Sequence, residues 1–199
     1  MALAIDRPMF DAEPATVAVD ASDEALARAV VGDREAFAVL YRRHVDDVYR
    51  YCHRRLGSRE RAEDATATTF ERALAGIATF RRGPFRAWLF TIARNATVDT
   101  YRRAPRDVPL PPTFDRADDA PGPEESTAAR DDATWVQSLL AQLTGDQREV
   151  VELRLTGLTD QEIGRVLCKR HGAIRTIQHR ALKRLRQLAD DEVTRNAER

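Results

Sequence analysis

Apolar residues recur at helical spacing along most of this 199-residue chain. In the first half, Gly57 ends one predicted helix, Ser58 caps the next, and Pro105 lies just beyond the last. The predicted helices are, in chain order, 23–32, 34–56, 59–75 and one that starts at 85 and ends before 105. Every periodic stretch has the helical period, so the sequence predicts an all-α fold.

The second half of the chain has the pattern of a helix-turn-helix. Helices are predicted from Trp135 to Leu143 and from Thr144 to Leu155, and a Thr-x-x-Glu capping box at Thr159 begins the next. After a tight turn, a long amphipathic helix has as its predicted buried positions Ile174, Ile177, Ala181, Leu182, Leu185 and Leu188. Its opposite face carries Arg175, Thr176, His179, Arg180 and Lys183.

That polar face suits the major groove of DNA. Guanidinium groups and small hydroxyls match the hydrogen-bonding edges of bases, and the remaining cations can contact phosphates. From this segment alone, the alternative is a solvated basic helix in a helical bundle, because basic amphipathic helices are common.

Charge is unevenly distributed, although 32 basic and 32 acidic residues give a formal net charge of zero. Residues 76–106 and residues 158–189 each carry a net charge of +6. The compensating acids lie in the first twenty residues and in a proline-rich stretch between the two basic blocks. This arrangement indicates two nucleic-acid contacts on one chain.

The sequence therefore predicts two small helical domains joined by a flexible acidic linker. The predicted divisions are a flexible tail at 1–22, a first domain at 23–104, a Pro-rich linker at 105–133, a second domain at 134–189 and a C-terminal tail at 190–199.

Two groups of motifs resemble conserved regions of bacterial sigma factors. The residues of this chain that resemble region 2 are Phe37-x-x-Leu40-Tyr41, Ala62-Glu63-Asp64 followed by Phe70, Trp88-Leu89-x-x-Ile92-Ala93-Arg94-Asn95, and Arg102-Arg103. Residues 143–188 of this chain resemble region 4. With a short linker and no middle domain, the chain resembles the extracytoplasmic-function group, the smallest sigma factors.

The resemblance implies a chain that binds core RNA polymerase, recognises the minus-ten and minus-thirty-five promoter elements and helps to open the duplex. It implies no enzymatic activity of its own, and it makes an anti-sigma factor a further expected partner. The expected minus-ten residues are Phe80, Arg81, Arg82, Asn95, Asp99, Arg102 and Arg103. The expected minus-thirty-five residues are Arg175, Thr176, His179, Arg180 and Lys183, and those expected at the core polymerase contact are Asp64, Glu71 and Arg72.

The residue types at the minus-ten positions fit this role. A loop that combines aromatic rings with cations can hold an unstacked base and its phosphates, and the Asn95 amide can both donate to and accept from a base edge. Phe80 is equally compatible with core packing. Trp88 is expected in the core, because it is in register with Leu89 and Ile92 on the apolar stripe.

Three features depart from the family pattern. Relatives usually carry Gln and Glu where this chain has Ala67 and Thr68, which predicts weaker polar pairing with the polymerase. The turn of the helix-turn-helix has Cys168 where Gly is usual, so this residue is either strained or in a slightly different turn. The helix that follows lacks the Ser or Pro that often begins it, and Gly172 is its expected cap.

Two other functions are alternatives to this interpretation. A zinc module or metal-dependent enzyme would need close ligand pairs, and the His and Cys residues lack such spacing, so neither a metal nor a cofactor is expected. A two-domain regulator that binds DNA without polymerase remains the alternative. The distant residues Cys52 and Cys168 are interpreted as buried thiols of a reducing cytosol, not as a disulfide. The chain is expected in the cytoplasm, because it shows neither a bilayer-spanning apolar run nor a signal-peptide core.

Overall fold

The structure is a computed structural model that describes residues 21–103 and 135–197, with side chains up to residue 191. The predicted linker and most of the predicted N-terminal tail lie outside the described residues. We call residues 21–103 the first module and residues 135–197 the second module.

The described residues form helices and connecting turns, with no strand among them. In chain order the helices are α1 (Asp23–Ala29), α2 (Arg34–Leu56), α3 (Arg59–Gly76), α4 (Phe85–Arg103), α5 (135–141), α6 (Gly145–Leu155), α7 (Asp160–Val166) and α8 (His171–Ala197), with a 3-10 turn at Ile77–Thr79. The predicted all-α class is confirmed.

Local chemistry explains most helix ends. The Ser22 hydroxyl accepts a hydrogen bond from the amide of Ala25 at 3.3 Å, and Gly57 ends α2 in the left-handed conformation with φ 67°. The end of α1 is earlier than predicted. The amide of Asp33 donates to the carbonyl of Ala29, which closes a turn after α1. The side chain of Asp33 caps α2 by accepting from the amide of Glu35.

In the first module, α1 to α4 enclose an apolar core. Its largest fully buried side chains include Leu40, Tyr51 and Phe90. The helical period also places Tyr41 and Leu74 on the apolar stripes of α2 and α3, yet 44% of Tyr41 and 40% of Leu74 face solvent. Burial is set by which neighbouring helix covers a position, so periodicity alone overestimates it.

In the second module, Thr159 and Glu162 form the predicted capping box at the start of α7. On α8, Ile174, Ala181 and Leu188 are buried at intervals of seven residues, whereas Leu182 is 44% exposed. The prediction that Leu182 is buried is wrong, because one further residue turns the side chain about 100° away from that stripe. Helix α8 also continues into the stretch predicted as a tail.

The two modules pack against each other, with α4 on α7 and α2 on α6. Side chains of the second module that join the apolar core of the first are Val150, Leu153, Leu158, Ile163, Val166 and Ile174. The sequence predicts two domains on a tether, and the structure adds that the two share one continuous core.

The helix-turn-helix depends on one close backbone approach. A Cβ at Gly164 would lie 2.8 Å from the backbone oxygen of Lys169, whereas a Cβ at Gly172 would meet nothing within 4 Å. We expect Gly164→Ala to destabilise the protein by about 1–3 kcal/mol, because the backbone must shift. Urea unfolding measures this. The control Gly172→Ala should be neutral or stabilising by about 0.5–1 kcal/mol, and equal losses for both variants would contradict the explanation.

Candidate nucleic-acid interface

The loop between the 3-10 turn and α4 rests on a cluster of aromatic rings. Phe80 is buried, with its ring centroid 5.8 Å from that of Phe85 and 5.4 Å from that of Trp88. The structure therefore places Phe80 in the core, and its ring faces its neighbours rather than solvent. Trp88 is half-buried against the same core, as the register predicted.

The same loop presents two cations to solvent. Arg81 and Arg82 are exposed. Gly83 has φ 109°, a backbone conformation that residues with a side chain rarely adopt. After the loop, the amide of Phe85 donates to the Glu24 carboxylate at 3.1 Å, which ties the start of α4 to α1. A loop fixed at both ends holds its guanidinium groups outward without a large ordering cost.

Further polar residues continue from the loop along α4. Asn95, Arg102 and Arg103 are exposed, while Asp99 is half-buried. Their spacing of three to four residues places them on one side of this 19-residue helix, which is about 28 Å long. The first module thus carries exposed polar side chains at the loop and again along the second half of α4.

The predicted polymerase-contact residues lie on α3. Asp64, Glu71 and Arg72 are exposed at positions that share one side of the helix. The guanidinium of Arg72 lies 2.8 Å from the Asp99 carboxylate, so one residue predicted for polymerase pairs with one predicted for DNA. With both side chains about 40% exposed, this bond contributes little to stability and can be exchanged for another partner.

The turn between α7 and α8 resolves the two alternatives for Cys168. Among the described residues, Cys168 is the non-glycine residue with a positive φ, and its φ is 52°. Its backbone therefore takes the left-handed conformation, which residues with a Cβ disfavour. Cys168 is also exposed, and the prediction that it is a buried thiol is wrong. The tight turn leaves this side chain no core to enter. Cys52 is buried as predicted.

Helix α8 presents the predicted DNA-reading side chains to solvent. All five are exposed: Arg175, Thr176, His179, Arg180 and Lys183. The Thr176 hydroxyl donates to the carbonyl of Gly172 at 3.0 Å and keeps its lone pairs available. The prediction that Gly172 caps this helix is wrong, because α8 already begins at His171. The carbonyl of Arg170 accepts from the amides of Ala173 and Ile174, which closes the first turn two residues earlier than predicted.

Sequence reasoning missed the residue that fixes the geometry of the helix-turn-helix. The Arg154 guanidinium on α6 donates to the Leu158 carbonyl at 2.8 Å, to the Asp160 carboxylate and to the Gln178 side chain at 3.2 Å. It therefore joins three helices. The signal was weak, because an arginine beside an apolar stripe is normally read as a solvated residue.

No group of three or more His, Cys, Asp or Glu side chains in the described ranges is arranged to hold a metal ion. Nor does any helix in residues 21–103 or 135–197 have the length and apolarity needed to cross a membrane.

Comparison with known families matches both modules. Residues 40–106 match Sigma-70 region 2, and residues 139–187 match Sigma-70, region 4. The ECF RNA polymerase sigma factor BldN of Streptomyces coelicolor is 37% identical over 191 residues, covering 94% of this chain and 70% of BldN. The ECF RNA polymerase sigma factor ShbA of Streptomyces griseus is 38% identical over 176 residues, covering 82% of this chain and 92% of ShbA.

Solved structures show the same architecture. CnrH in complex with the cytosolic domain of CnrY has a TM-score of 0.67 at 28% identity, covering 85% of this chain and 97% of the matched chain. The sigma factor RpoE of Bartonella quintana, in complex with the anti-sigma factor NepR, has a TM-score of 0.63 at 24% identity, covering 77% of this chain and 96% of the matched chain. The second likeness concerns the fold alone.

The two thiols should differ in reactivity. Burial raises the pKa of Cys52 to about 11, so at pH 8 this group stays protonated and shielded, whereas Cys168 is exposed. We expect a disulfide reagent to modify one thiol of the native protein quickly and the second only after unfolding. Cys168→Ser should abolish the fast reaction, and two fast thiols in the parent protein would contradict the assignment.

Proposed function

The chain belongs to the extracytoplasmic-function sigma factors of bacterial RNA polymerase, and from this premise we propose how its two polar surfaces divide promoter recognition. As a sigma factor, it directs RNA polymerase to specific promoters and initiates transcription. The observation that carries the proposal is the exposure of basic side chains on two surfaces, one in each matched region.

The first module reads the minus-ten element as a single strand. Arg81 and Arg82 contact phosphates of the exposed strand, Asn95 reads a base edge, and Arg102 and Arg103 hold the backbone at the far end of α4. Phe80 supports this site from below, because its buried ring holds the loop in place. Asp99 orients Arg72 through their ion pair.

The second module reads the minus-thirty-five element as a duplex. Helix α8 enters the major groove with Arg175 and Thr176 near its start and with His179 and Arg180 one turn later. Lys183 lies about 12 Å beyond Arg175 along the helix, towards the phosphate backbone.

The exposed side of α3, with Asp64, Glu71 and Arg72, forms the contact with core polymerase. The solvent-facing Ala67 beside them offers no hydrogen bond, so the charged neighbours carry the polar part of this contact. The division into domains at 23–104 and 134–189, with a linker at 105–133 between them, belongs to the same proposal. It is supported by the separate matches of the two regions.

Membership of the family also indicates where the chain acts and what it binds. The chain acts in the cytoplasm, where polymerase and promoter are found, and it recognises DNA without catalysing a reaction of its own. An anti-sigma factor is a proposed partner, since the structural relative CnrH, at 28% identity, was solved in complex with the cytosolic domain of CnrY.

Run-off transcription tests the function directly. Purified protein and core polymerase should give discrete transcripts from fragments of genomic DNA, with about one protein bound per polymerase. A protein that binds duplex DNA alone, does not comigrate with core and leaves start-site choice unchanged would instead support the alternative, a regulator that is not a polymerase subunit.

The first module should act on opening rather than on initial binding. We expect Arg81→Ala and Asn95→Ala to slow the appearance of permanganate-reactive thymines while leaving closed-complex binding largely intact, because these residues contact an exposed strand. Arg34→Ala, at an exposed position at the start of α2, is the control. Equal losses of closed-complex binding and of opening would refute this division.

Base-reading and phosphate-holding residues of α8 should fail differently. Arg175→Ala should cost roughly 1–3 kcal/mol and relax preference at one position of the minus-thirty-five element. Lys183→Ala should weaken all sequences about equally and make the dependence of log K on log salt shallower by about one unit. Binding to a library of minus-thirty-five variants at several salt concentrations measures both. Arg28→Ala, exposed on α1, should change neither, and identical profiles for all three variants would contradict the assignment.

A further inference from the structure

A group of polar side chains holds α8 against the start of α7. Arg154, near the end of α6, donates to the Asp160 carboxylate and, at 3.2 Å, to the Gln178 side chain. Its other terminal nitrogen donates to the Leu158 carbonyl at 2.8 Å. Nε2 of His171, the first residue of α8, lies 3.7 Å from a carboxylate oxygen of Asp160. Helix α8 therefore meets the Arg154–Asp160 ion pair at two points, and we call these contacts the clamp.

The donors of Arg154 are directed into the protein, although its side chain is 37% exposed. Both terminal nitrogens donate to the clamp or to the Leu158 carbonyl, and Nε is buried with no hydrogen-bond partner within the described part of the chain. A guanidinium whose donors are mostly used or buried has little left to offer a phosphate. Arg154 is thus suited to holding helices together and not to binding DNA itself.

Apolar packing alone does not fix the rotation of α8 about its axis. Its buried residues Ile174 and Ala181 make contacts that have no preferred direction. A rotation of about 20° would move a side-chain tip about 6 Å from the axis by about 2 Å. An N–H···O hydrogen bond keeps its strength over a range of only about 0.5 Å, so base reading needs a directional contact behind the helix.

The clamp lies on both sides of one proposed base-reading residue. His171 precedes Arg175 by four residues and Gln178 follows it by three, and residues at these spacings are neighbours on the helix surface. Arg175 is exposed, whereas Gln178 is half-buried beneath it. The rotation of α8 is therefore fixed next to the side chain that is most sensitive to it.

We propose that Arg154 is a positioning residue for recognition of the minus-thirty-five element, which sets the base preference of Arg175 through Gln178 and Asp160 without touching DNA. This rests on the proposed function, because α8 is the helix that reads the duplex there. A bidentate contact between a guanidinium and a base requires both donors in one plane, whereas a lysine on a flexible stem tolerates small shifts of its phosphate. Loss of the clamp therefore lowers the preference among bases and spares general affinity for DNA.

Binding of minus-thirty-five duplexes to the protein assembled with core polymerase tests the proposal. The preference is the ratio of the Kd of a single-base variant to the Kd of the best duplex. In Arg154→Met this ratio should fall roughly tenfold at the position where Arg175→Ala also loses it, while the slope of log K against log salt stays unchanged. Loss of folded protein alone would weaken all duplexes equally and leave the ratio as it was.

Gln178→Met removes the same contact from the other side. It should lower the ratio at the same position, and the double variant should lower it no further than Arg154→Met alone, because both substitutions remove one shared contact. Arg154, Asp160 and His171 line an open hollow of about 480 Å³, so water can enter where the guanidinium is removed. If Arg154→Met still fails to fold, Gln178→Met carries the test.

Asp146→Asn is the matched control. It removes the ion pair between Asp146 and Lys169, which has a 3.0 Å separation. That pair also joins α6 to the turn of the helix-turn-helix, but it does not reach α8. The ratio should stay as in the parent protein.

Two results would overturn the proposal. One is an unchanged ratio in both clamp variants. The other is equal weakening of all duplexes by Arg154→Met with a salt slope shallower by about one unit, because Arg154 would then bind a phosphate itself.

A parent protein with no preference among the duplexes would contradict the proposed function instead. Hydrogen exchange of the full chain without DNA then decides the clamp. Amides in the first two turns of α8 should exchange at least about threefold faster in Arg154→Met and Gln178→Met than in the parent or in Asp146→Asn, and equal rates would overturn the proposal.

Discussion

The arrangement of this protein depends on a carboxylate that has no access to water. A buried charge is tolerated only when it stays paired, and removing one partner of such a pair costs on the order of 3–5 kcal/mol. Glu152 meets this condition with Arg148 of its own helix at 2.7 Å and with Arg55 of the other module at 3.0 Å. Burial alone would lower the pKa of Arg55, yet Glu152 holds it above its ordinary value.

A second constraint acts on the helix-turn-helix. The angle between α7 and α8 requires the left-handed backbone at Cys168 and the absence of a side chain at Gly164, where the chain returns to within contact of Lys169. Arg154 then bonds both sides of the turn. These contacts lie behind α8, so its outer face stays free. The backbone strain at Cys168 occurs where the path of the backbone, and not the side chain, sets the position of the proposed DNA-reading surface on α8.

The two proposed DNA-reading surfaces therefore have unequal surroundings. The face of α8 is fully exposed, whereas the loop before α4 has α7 as a neighbour. This asymmetry agrees with a difference in what each must bind. A duplex presents its groove edges at any time, but a single minus-ten strand exists only after opening.

Sequence alone determined the elements and the chemistry of the surfaces. Helical periodicity, Ser58, Gly57 and the Thr159–Glu162 box are local signals, and they predicted the all-α class, most helix ends and the solvent-facing basic residues of α8. The two motif groups were sufficient for the family, because each is a run of neighbouring residues. Tertiary structure decided what local signals cannot carry. Phe80 was compatible with two environments, and the structure shows Phe85 and Trp88 covering it. Leu74 and Leu182 are exposed because none of the described helices packs over them. Arg55 and Glu152 lie 97 residues apart, and no pattern of spacing along the chain predicts a bond between residues that only folding brings together.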